Sequence, residues 1–251
     1  ERLERIVRKS EHDVVTEVDE LSEQLILSTI REAYPTDAFL AEESGHTRTG
    51  EPMGGNDGTD GPDRTDGGLP DRLWVIDPLD GTVNYANGIP IFCVSIGLVE
   101  AGRPVLGVVH DPVRDETYSA LAGDGARLDG VSIRLPEKEK LSDLVLSLAL
   151  PARGWAVRDR RIRRGIRVAR SLGSAALSLT YVANGRFDGF VQSGGLSLWD
   201  ICAAGLIARE GGARITAVDG GEWFDVTRTA KSIGIVAAAS THHQTLLESL
   251  A

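Results

Sequence analysis

The chain has 251 residues, 41% hydrophobic and 25% charged, which is the composition of a globular protein that buries a core without disulfide bonds. Acidic residues outnumber basic ones by 37 to 27, and the net charge of −10 argues against nucleic acid as a partner. No apolar stretch approaches the roughly 18 residues that span a bilayer, and no signal-peptide pattern is present. We therefore expect a soluble, cytoplasmic protein with no membrane partner, in which Cys93 and Cys202 are buried free thiols.

The first strong pattern along the chain is an amphipathic helix that Thr16 caps and Pro35 ends. Its apolar positions follow helical spacing and are Leu21, Leu25, Ile26 and Ile30. The short strand AFLA follows and runs into the acidic turn EES. Residues 45–71 are dense in Gly, Asp, Pro and Thr and lack hydrophobic periodicity, which predicts a mobile surface loop.

After the loop, the pattern predicts antiparallel hairpins followed by alternating strands and helices. The hairpin strands are expected at residues 73–77, 92–100, 104–110 and about 115–121. Beyond residue 136 the strands DLVLSLAL, FDGFVQ and IGIVAAAS alternate with helices at 155–165, in GSAALSLTYVANG and in LWDICAAGLIAREGG. We predict an N-terminal α+β half, residues 1–135, that carries metal-binding motifs and the loop, and a C-terminal α/β half, residues 136–251, that completes the active site.

Several carboxylates stand at the ends of predicted elements. Asp77 and Asp80 follow the apolar run of WVIDPLDGTVN, where a buried charge is costly unless something pairs it. Glu42 and Glu43 end the strand AFLA, and Asp200 opens a helix. Oxygen ligands without a nearby His or Cys pair favour Mg²⁺ or Mn²⁺ over zinc.

The residues around these aspartates suggest a phosphate site. Pro78 can turn the Leu79 carbonyl toward the same point, and Gly81 and Thr82 offer backbone N–H groups at a helix start, which binds anions readily. Cations beside such a cradle are what phosphoryl transfer to water requires. Each piece alone has a plainer interpretation: EES as a solvated turn, DPLDGT as a Pro/Gly turn with Asx hydrogen bonds, and Asp200 as a helix cap.

Five stretches in this order resemble the inositol monophosphatase family, within the wider group of lithium-sensitive, magnesium-dependent sugar phosphatases. They are VVTEVDE, AEES, WVIDPLDGTVNYANGIPIFCVSIGLV, GSAA and LWDICAAGLIAREGGA, and they run from about residue 13 to 238. The resemblance implies a mixed α+β and α/β fold arranged as a layered αβαβα sandwich, often as a homodimer. It also implies a phosphoric monoester hydrolase.

The resemblance assigns roles position by position. It implies that two or three Mg²⁺ ions are ligated by Glu42, Asp77, the Leu79 carbonyl, Asp80 and Asp200. It implies a catalytic set of Asp19, Glu42 and Thr82, in which Asp19 pairs with the Thr82 hydroxyl to orient and deprotonate the attacking water. The substrate would contact Asp80, Gly81, Thr82, Gly173, Ser174, Ala175, Ser193 and Asp200.

The chain departs from the family pattern at specific places. Members that favour inositol phosphate carry a glutamate seven residues before the final Asp of the motif, and here that place falls at Ser193, so inositol specificity is open. The loop at 45–71 is longer than is usual in the family between the two acidic motifs. The stretch before VVTEVDE is shorter than in the family, whose first helix covers apolar surface there, so we expect that surface to be exposed. In that loop Asp57, Asp60, Asp63 and Asp66 do not match the spacing of an EF-hand, which favours a hydrated loop.

The run RGWAVRDRRIRRGIRVAR is the concentrated basic region of this acidic chain. It is interpreted either as a solvated helix face with salt bridges or as a site that attracts a second phosphate of the substrate. The candidate residues for the second interpretation are Arg158, Arg160, Arg161, Arg163 and Arg164.

The sequence therefore predicts a Mg²⁺-dependent phosphomonoesterase for a small phosphorylated sugar or polyol, inositol 1-phosphate and fructose 1,6-bisphosphate first among them. The alternative within the same group is a phosphatase for a 3′-phosphoadenosine compound or NADP. A non-catalytic, cation-binding regulatory module is the third possibility, and an intact water-activating pair, Asp19 and Thr82, argues against it.

Overall fold

A computed structural model describes residues 6–10, 13–47 and 70–250. The strands are β1 (Ile6–Ser10), β2 (Asp13–Thr16), β3 (Ala38–Ala41), β4 (Gly45–Thr47), β5 (Arg72–Asp80), β6 (Cys93–Glu100), β7 (Arg103–Asp111), β8 (Glu116–Leu121), β9 (Gly125–Leu128), β10 (Val131–Ile133), β11 (Val145–Ala149), β12 (Val168–Arg170), β13 (Gly189–Leu196), β14 (Arg214–Ala217) and β15 (Ile233–Ala238). The helices are α1 (Glu17–Ala33), α2 (Thr82–Ala86), α3 (Ala152–Gly165), α4 (Ala175–Thr180), α5 (Leu198–Glu210) and α6 (Ser240–Glu248), with a 3₁₀ turn at Leu141–Asp143.

Two mixed sheets form the framework. The larger has the order β10-β9-β8-β7-β6-β5-β3-β4 and is antiparallel except where β3 runs parallel to β5. The smaller has the order β12-β11-β13-β15-β14, with β11 parallel to both of its neighbours. A separate antiparallel pair joins β1 to β2.

Three apolar clusters show how the layers stack. On one face of the larger sheet, Leu27 of α1 packs with Phe39 and Trp74. Between the two sheets, the largest cluster unites residues of α4 and α5 with inward side chains of both sheets. Beyond the smaller sheet, Ile162 of α3 and Leu246 of α6 pack on its outer face. The order helix, sheet, helices, sheet, helices confirms the predicted αβαβα sandwich.

The central helix α5 is apolar on nearly every side, as a helix enclosed between two sheets must be. It lies so close to the larger sheet that a Cβ at Gly97 would stand 2.5 Å from the Cys202 sulfur, and one at Gly107 would stand 2.8 Å from the carbonyl oxygen of Ala203. These glycines bring β6 and β7 against the helix, and that contact fixes where its first turn points.

Most predicted elements are confirmed, with shifted ends. β5 continues to Asp80, beyond the predicted end at 77, and the helix predicted in GSAALSLTYVANG already ends at Thr180. The predicted loop is wrong at its start, because Gly45–Thr47 forms β4, a strand that pairs with β3. Residues 48–69, with the four regularly spaced aspartates, lie outside the described residues.

Two of the four apolar positions predicted for α1 are exposed, Leu21 by 62% and Leu25 by 68%. The buried residues of this helix include two acids, Asp19 and Glu23, which stand in line with Leu27. This face of the helix therefore makes polar contacts near its start and apolar contacts further along.

Both cysteines are buried and free, as predicted. No helix within the described ranges is long and apolar enough to cross a membrane.

Candidate active site

The end of β5 contains a bulge that explains how two aspartates three residues apart meet. The pairing with β6 moves from Asp77 opposite Ser95 to Asp80 opposite Cys93, so three steps along one strand match two along the other. Side chains an odd number of residues apart on a regular strand point to opposite faces, and one extra residue restores the parity. Pro78 lies inside the bulge, where a missing N–H is tolerated.

Asp200 approaches the same place from the first turn of α5. The backbone N–H of Ser197 donates to its Oδ2 at 2.6 Å, and the Ser197 side chain accepts from the Asp200 backbone, which completes a capping box. The N-cap of α5 is therefore Ser197, and Asp200, predicted to open the helix, is instead its third residue and the acidic partner in the capping box. One oxygen caps the helix, and the carboxylate still lies beside the two aspartates of β5.

Asp77, Asp80 and Asp200 form one cluster, in which a ligand oxygen from each lies within 4.8 Å of the others. Burial raises the pKa of Asp77 well above its usual value, and the charges of Glu42, Asp80 and Asp200 raise it further. Burial, and then the charge of Asp80, raises the pKa of Asp200 to about 7. Because these groups disfavour one another's charge, a divalent cation would stabilise them, and an all-oxygen donor set suits Mg²⁺.

The start of α4 fixes Asp80. The Ser174 hydroxyl donates to its Oδ2, while the backbone N–H groups of Ala175 and Ala176 donate to the carboxylate at 3.1 and 2.8 Å. These bonds oppose the effect of burial, which still raises the pKa of Asp80. The Cys93 sulfur lies 3.7 Å from the same oxygen. The sequence analysis assigned Ser174 and Ala175 to substrate contact only and did not connect Cys93 with the site.

Asp19 and Thr82 meet as the resemblance implied. The Thr82 hydroxyl lies 3.0 Å from Oδ1 of the buried Asp19 and 3.0 Å from the carbonyl oxygen of Leu79. Its single proton can serve only one acceptor at a time. Gly81, with φ of +101°, precedes Thr82, and a Cβ there would lie 3.0 Å from the carbonyl oxygen of Ile91. The chain can turn into α2 here because this residue is glycine.

Glu42 and Glu43 occupy the turn between β3 and β4. The backbone N–H of Glu42 donates to the carbonyl oxygen of Ile76 at 3.2 Å, which places this residue beside the one that precedes Asp77. The charge of Glu42 contributes to the raised pKa of Asp77, but Glu42 does not belong to the cluster of Asp77, Asp80 and Asp200. Both glutamates are half-buried.

A cavity of about 300 Å³ opens beside the cluster. Its walls consist of Asp80, Ser147, Ala149, Ser171, Leu172, Gly173, Ser174, Ala175, Ser178, Phe190, Gln192, Gly195, Leu196 and Asp200. The predicted substrate residues at 173–175 therefore lie in one wall, next to two of the clustered aspartates.

Gln192, rather than the predicted Ser193, lines this cavity. Phe190 and Gln192 stand two apart on the regularly paired part of β13 and share a face, whereas Ser193 is not among the cavity walls. The regular pairing with β15 is interrupted between Gln192 and Leu196. The signal in the sequence was the pair Gly194-Gly195, because glycines inside a strand often mark a bulge.

A second cavity, of about 610 Å³, lies along α3. Its walls consist of Leu150, Pro151, Ala156, Asp159, Arg160, Arg163 and Arg164, which we call the basic groove. Arg163 pairs with Asp159 at 2.7 Å, while Arg160 and Arg164 are exposed. Ala149 lines the first cavity, and Leu150, the next residue in the chain, lines the groove.

Comparison with known proteins places this geometry in a family. A sequence profile of the inositol monophosphatase family matches residues 2–251. The Nus factor SuhB of Pasteurella multocida is 37% identical over 222 residues, which cover 86% of this chain and 76% of that protein. The inositol-1-monophosphatase of Mesorhizobium japonicum is 37% identical over 220 residues, which cover 85% of this chain and 76% of that protein.

Solved structures share the same architecture. The extragenic suppressor protein suhB from Bartonella henselae is 32% identical and superposes with a TM-score of 0.82, over 98% of this chain and 88% of that one. An IMPase/NADP phosphatase complexed with Mg²⁺ and phosphate shares the fold at 24% identity, with a TM-score of 0.79 over 98% of this chain and 85% of that one. The chain belongs to the inositol monophosphatase family, a Mg²⁺-dependent family that acts on small phosphorylated substrates, and is a phosphoric monoester hydrolase.

Proposed function

We propose that this enzyme hydrolyses a small sugar or polyol monoester, with inositol 1-phosphate and fructose 1,6-bisphosphate as the leading substrates. The observation that carries the proposal is the convergence of three carboxylates from β5 and α5 within 4.8 Å beside a polar cavity. Two or three Mg²⁺ ions, or Mn²⁺ in their place, would be held by Asp77, Asp80, Asp200, Glu42 and the Leu79 carbonyl.

When bound there, divalent cations supply a Lewis acid for the phosphoryl oxygens and favour the ionised form of water. The role of the protein side chains is to orient that water and accept its proton. When the Thr82 hydroxyl donates to Asp19, its oxygen can accept a hydrogen bond from water; as that water gives its proton to Thr82, the Thr82 proton would pass to the Asp19 carboxylate, so the pair at 3.0 Å supports a role in general base catalysis. Attack would be in line at phosphorus, without a phosphoenzyme, and the backbone at Gly81 and Thr82 would cradle the phosphate.

The sugar side of the substrate would face the cavity walls. Backbone at Gly173 and the side chain of Gln192 lie there, and a neutral amide suits hydroxyl groups because it both donates and accepts. A second phosphate on the substrate would need positive charge, which the exposed Arg160 and Arg164 of the basic groove would offer.

The nucleotide alternative has less support. A 3′-phosphoadenosine compound or NADP would need a flat apolar surface for its base, yet Phe190 is the only aromatic residue lining the cavity within the described chain, and it is 2% exposed. The intact contact between Asp19 and Thr82 disfavours a non-catalytic regulatory module.

The test is a comparison of kcat/KM for inositol 1-phosphate, fructose 1,6-bisphosphate, 3′-phosphoadenosine 5′-phosphate and NADP with Mg²⁺. One of the first two should lead by at least about 10-fold, the discrimination that a few specific contacts provide. An Asp77→Asn variant, inactive on all four, controls for contaminating phosphatases. A lead for either nucleotide would refute the substrate class without touching the family assignment.

Other expectations stay predictions. Homodimer formation, inhibition by millimolar lithium and a cytoplasmic location rest on the family resemblance and on composition. The absence of a nucleic-acid partner rests on net charge alone, and a relative named as a Nus factor makes filter binding with RNA a worthwhile check. Light scattering coupled to size-exclusion chromatography would give the oligomeric state.

A further inference from the structure

One face of α1 binds three separate parts of the site. Asp19, Ser22 and Glu23 stand at positions i, i+3 and i+4, so their side chains lie on the same side of the helix. Asp19 meets the Thr82 hydroxyl, and the Ser22 hydroxyl donates to the carbonyl oxygen of Pro78 at 3.0 Å. The first two contacts therefore hold the end of β5 and the start of α2.

The third contact holds the turn after β3. The Glu23 carboxylate is 4% exposed and accepts two backbone hydrogen bonds, from the N–H of Glu43 at 2.8 Å and from the N–H of Ser44 at 2.9 Å. Each of the two carboxylate oxygens accepts one of these bonds. A buried charged group is retained only where such bonds compensate its lost hydration, so the carboxylate and the turn fix each other.

The bonds between Glu23 and the amides of residues 43 and 44 also restrain Glu42, the residue that precedes them. Glu42 is held on its N-terminal side by its bond to the Ile76 carbonyl oxygen and on its C-terminal side by the two amides that Glu23 binds. Its backbone is therefore fixed at both ends, which limits the directions that its side chain can take. Residues that orient a metal ligand in this way contribute to the affinity for the metal.

We infer that Glu23 is a positioning residue that presets Glu42 for the divalent cation. The inference rests on the proposed role of Glu42 as a ligand. A purely structural role, in which Glu23 only fastens the β3–β4 turn to α1, would leave cation affinity unchanged once the variant is folded. A purely electrostatic role would depend on the charge of Glu23 and not on its two hydrogen bonds.

The first experiment compares Glu23→Gln with Glu20→Gln, an exposed acid of the same helix turn that serves as the matched control. The amide keeps the size of the side chain but places a donor against one of the two backbone N–H groups. Isothermal titration with Mg²⁺, without substrate, should show Kd raised by about 10-fold or more for Glu23→Gln, the usual effect of losing a group that orients a ligand. Kd should be unchanged for Glu20→Gln, and equal Kd values for the two variants would overturn the inference.

A double variant separates this inference from the proposed function. If Glu23 acts through Glu42, the Kd of Glu23→Gln/Glu42→Gln should equal that of Glu42→Gln alone, because the second change has nothing left to position. Additive effects would contradict positioning. If Glu42→Gln itself binds Mg²⁺ normally, the ligand assignment fails; if it binds weakly while Glu23→Gln binds normally, only the present inference fails.

Glu23→Asp provides the second variant, and it also serves if Glu23→Gln does not fold. It keeps the charge but is one methylene shorter, so it cannot reach both amides without a shift of the turn. Positioning predicts weakened Mg²⁺ binding at low and high salt alike, together with a lower kcat at saturating Mg²⁺. Normal affinity in Glu23→Asp would assign the effect to charge and overturn the inference.

Discussion

At the scale of single residues, Asp77 and Asp80 illustrate how backbone geometry decides chemistry. In an uninterrupted strand they would face opposite sides of the sheet, and only the bulge around Pro78 directs both toward Asp200. The amide groups at the start of α4 then orient one of them, while α5 supplies the third carboxylate already fixed by its own cap.

Replacing Asp200 with Asn tests the cluster directly. We expect kcat/KM to fall by about 100-fold or more, since the change removes a negatively charged cation ligand. The melting temperature in EDTA should stay the same or rise, because one of several repelling buried charges is gone. The control is Asp143→Asn at an exposed position, and near-normal turnover in Asp200→Asn would contradict the ligand assignment.

Gln192→Glu tests which residue faces the substrate. The family resemblance places the glutamate associated with inositol phosphate at Ser193, but of these two adjacent positions it is Gln192 that lines the cavity. We expect Gln192→Glu to raise the ratio of kcat/KM for inositol 1-phosphate over fructose 1,6-bisphosphate by about 10-fold, the size of one added specific contact. Ser193→Glu should not change the ratio, and a larger effect at Ser193 would contradict the choice of Gln192 as the substrate-facing residue.

At the scale of elements, the sequence was most informative where one physical rule dominated. Helix α5 was predictable from its long apolar run, although its cap at Ser197 was not predicted, and α1 was predictable because Thr16 and Pro35 delimit it. The bulges in β5 and β13 were not, since register depends on the partner strand, which lies elsewhere in the chain. The residues of the candidate cluster were therefore predictable from the sequence. That Gln192 and not Ser193 lines the cavity could be seen only from the structure, because it depends on how β13 pairs with β15.

The basic groove along α3 gives a prediction about substrate choice. If it binds a second phosphate, Arg160→Gln/Arg164→Gln should raise KM for fructose 1,6-bisphosphate by about 5-fold, as loss of an exposed charge pair worth about 1 kcal/mol would. KM for inositol 1-phosphate should barely change. Arg161→Gln, an exposed arginine outside the groove walls, is the matched control. Equal changes for both substrates would support the interpretation of α3 as a solvated face.

At the scale of the whole molecule, the stacking of layers brings together carboxylates that are far apart in the chain. The larger sheet carries Asp77 and Asp80 on its interior strand β5, and the helix enclosed between the sheets delivers Asp200 to the same end. The stability of the layered core must therefore offset the repulsion within the cluster, and any cation bound there adds to the stability of the entire fold.

This coupling predicts a pH dependence with a definite sign. The pKa of Asp200 rises from 3.8 to about 7, so between these values the cation-free folded state binds more protons than the unfolded chain. Its stability in EDTA should fall as pH increases from 5 to 7, and the gain in melting temperature from Mg²⁺ should grow over the same range.

The control for this experiment is the Asp200→Asn variant, in which both trends should weaken. The comparison is needed because His243, whose pKa burial lowers, acts in the opposite direction near its own titration. Calorimetry of both proteins, with EDTA and with Mg²⁺, gives four melting curves at each pH. A Mg²⁺ effect that is independent of pH in the unaltered protein would contradict the coupling.

The most direct test of the central claim is a crystal soaked in Mn²⁺ and measured for anomalous scattering at the manganese edge. Two or three peaks should lie among Glu42, Asp77, Asp80 and Asp200, within about 2.5 Å of their oxygens. Peaks located only elsewhere, or an unchanged carboxylate cluster without a peak at saturating Mn²⁺, would contradict the account of this site.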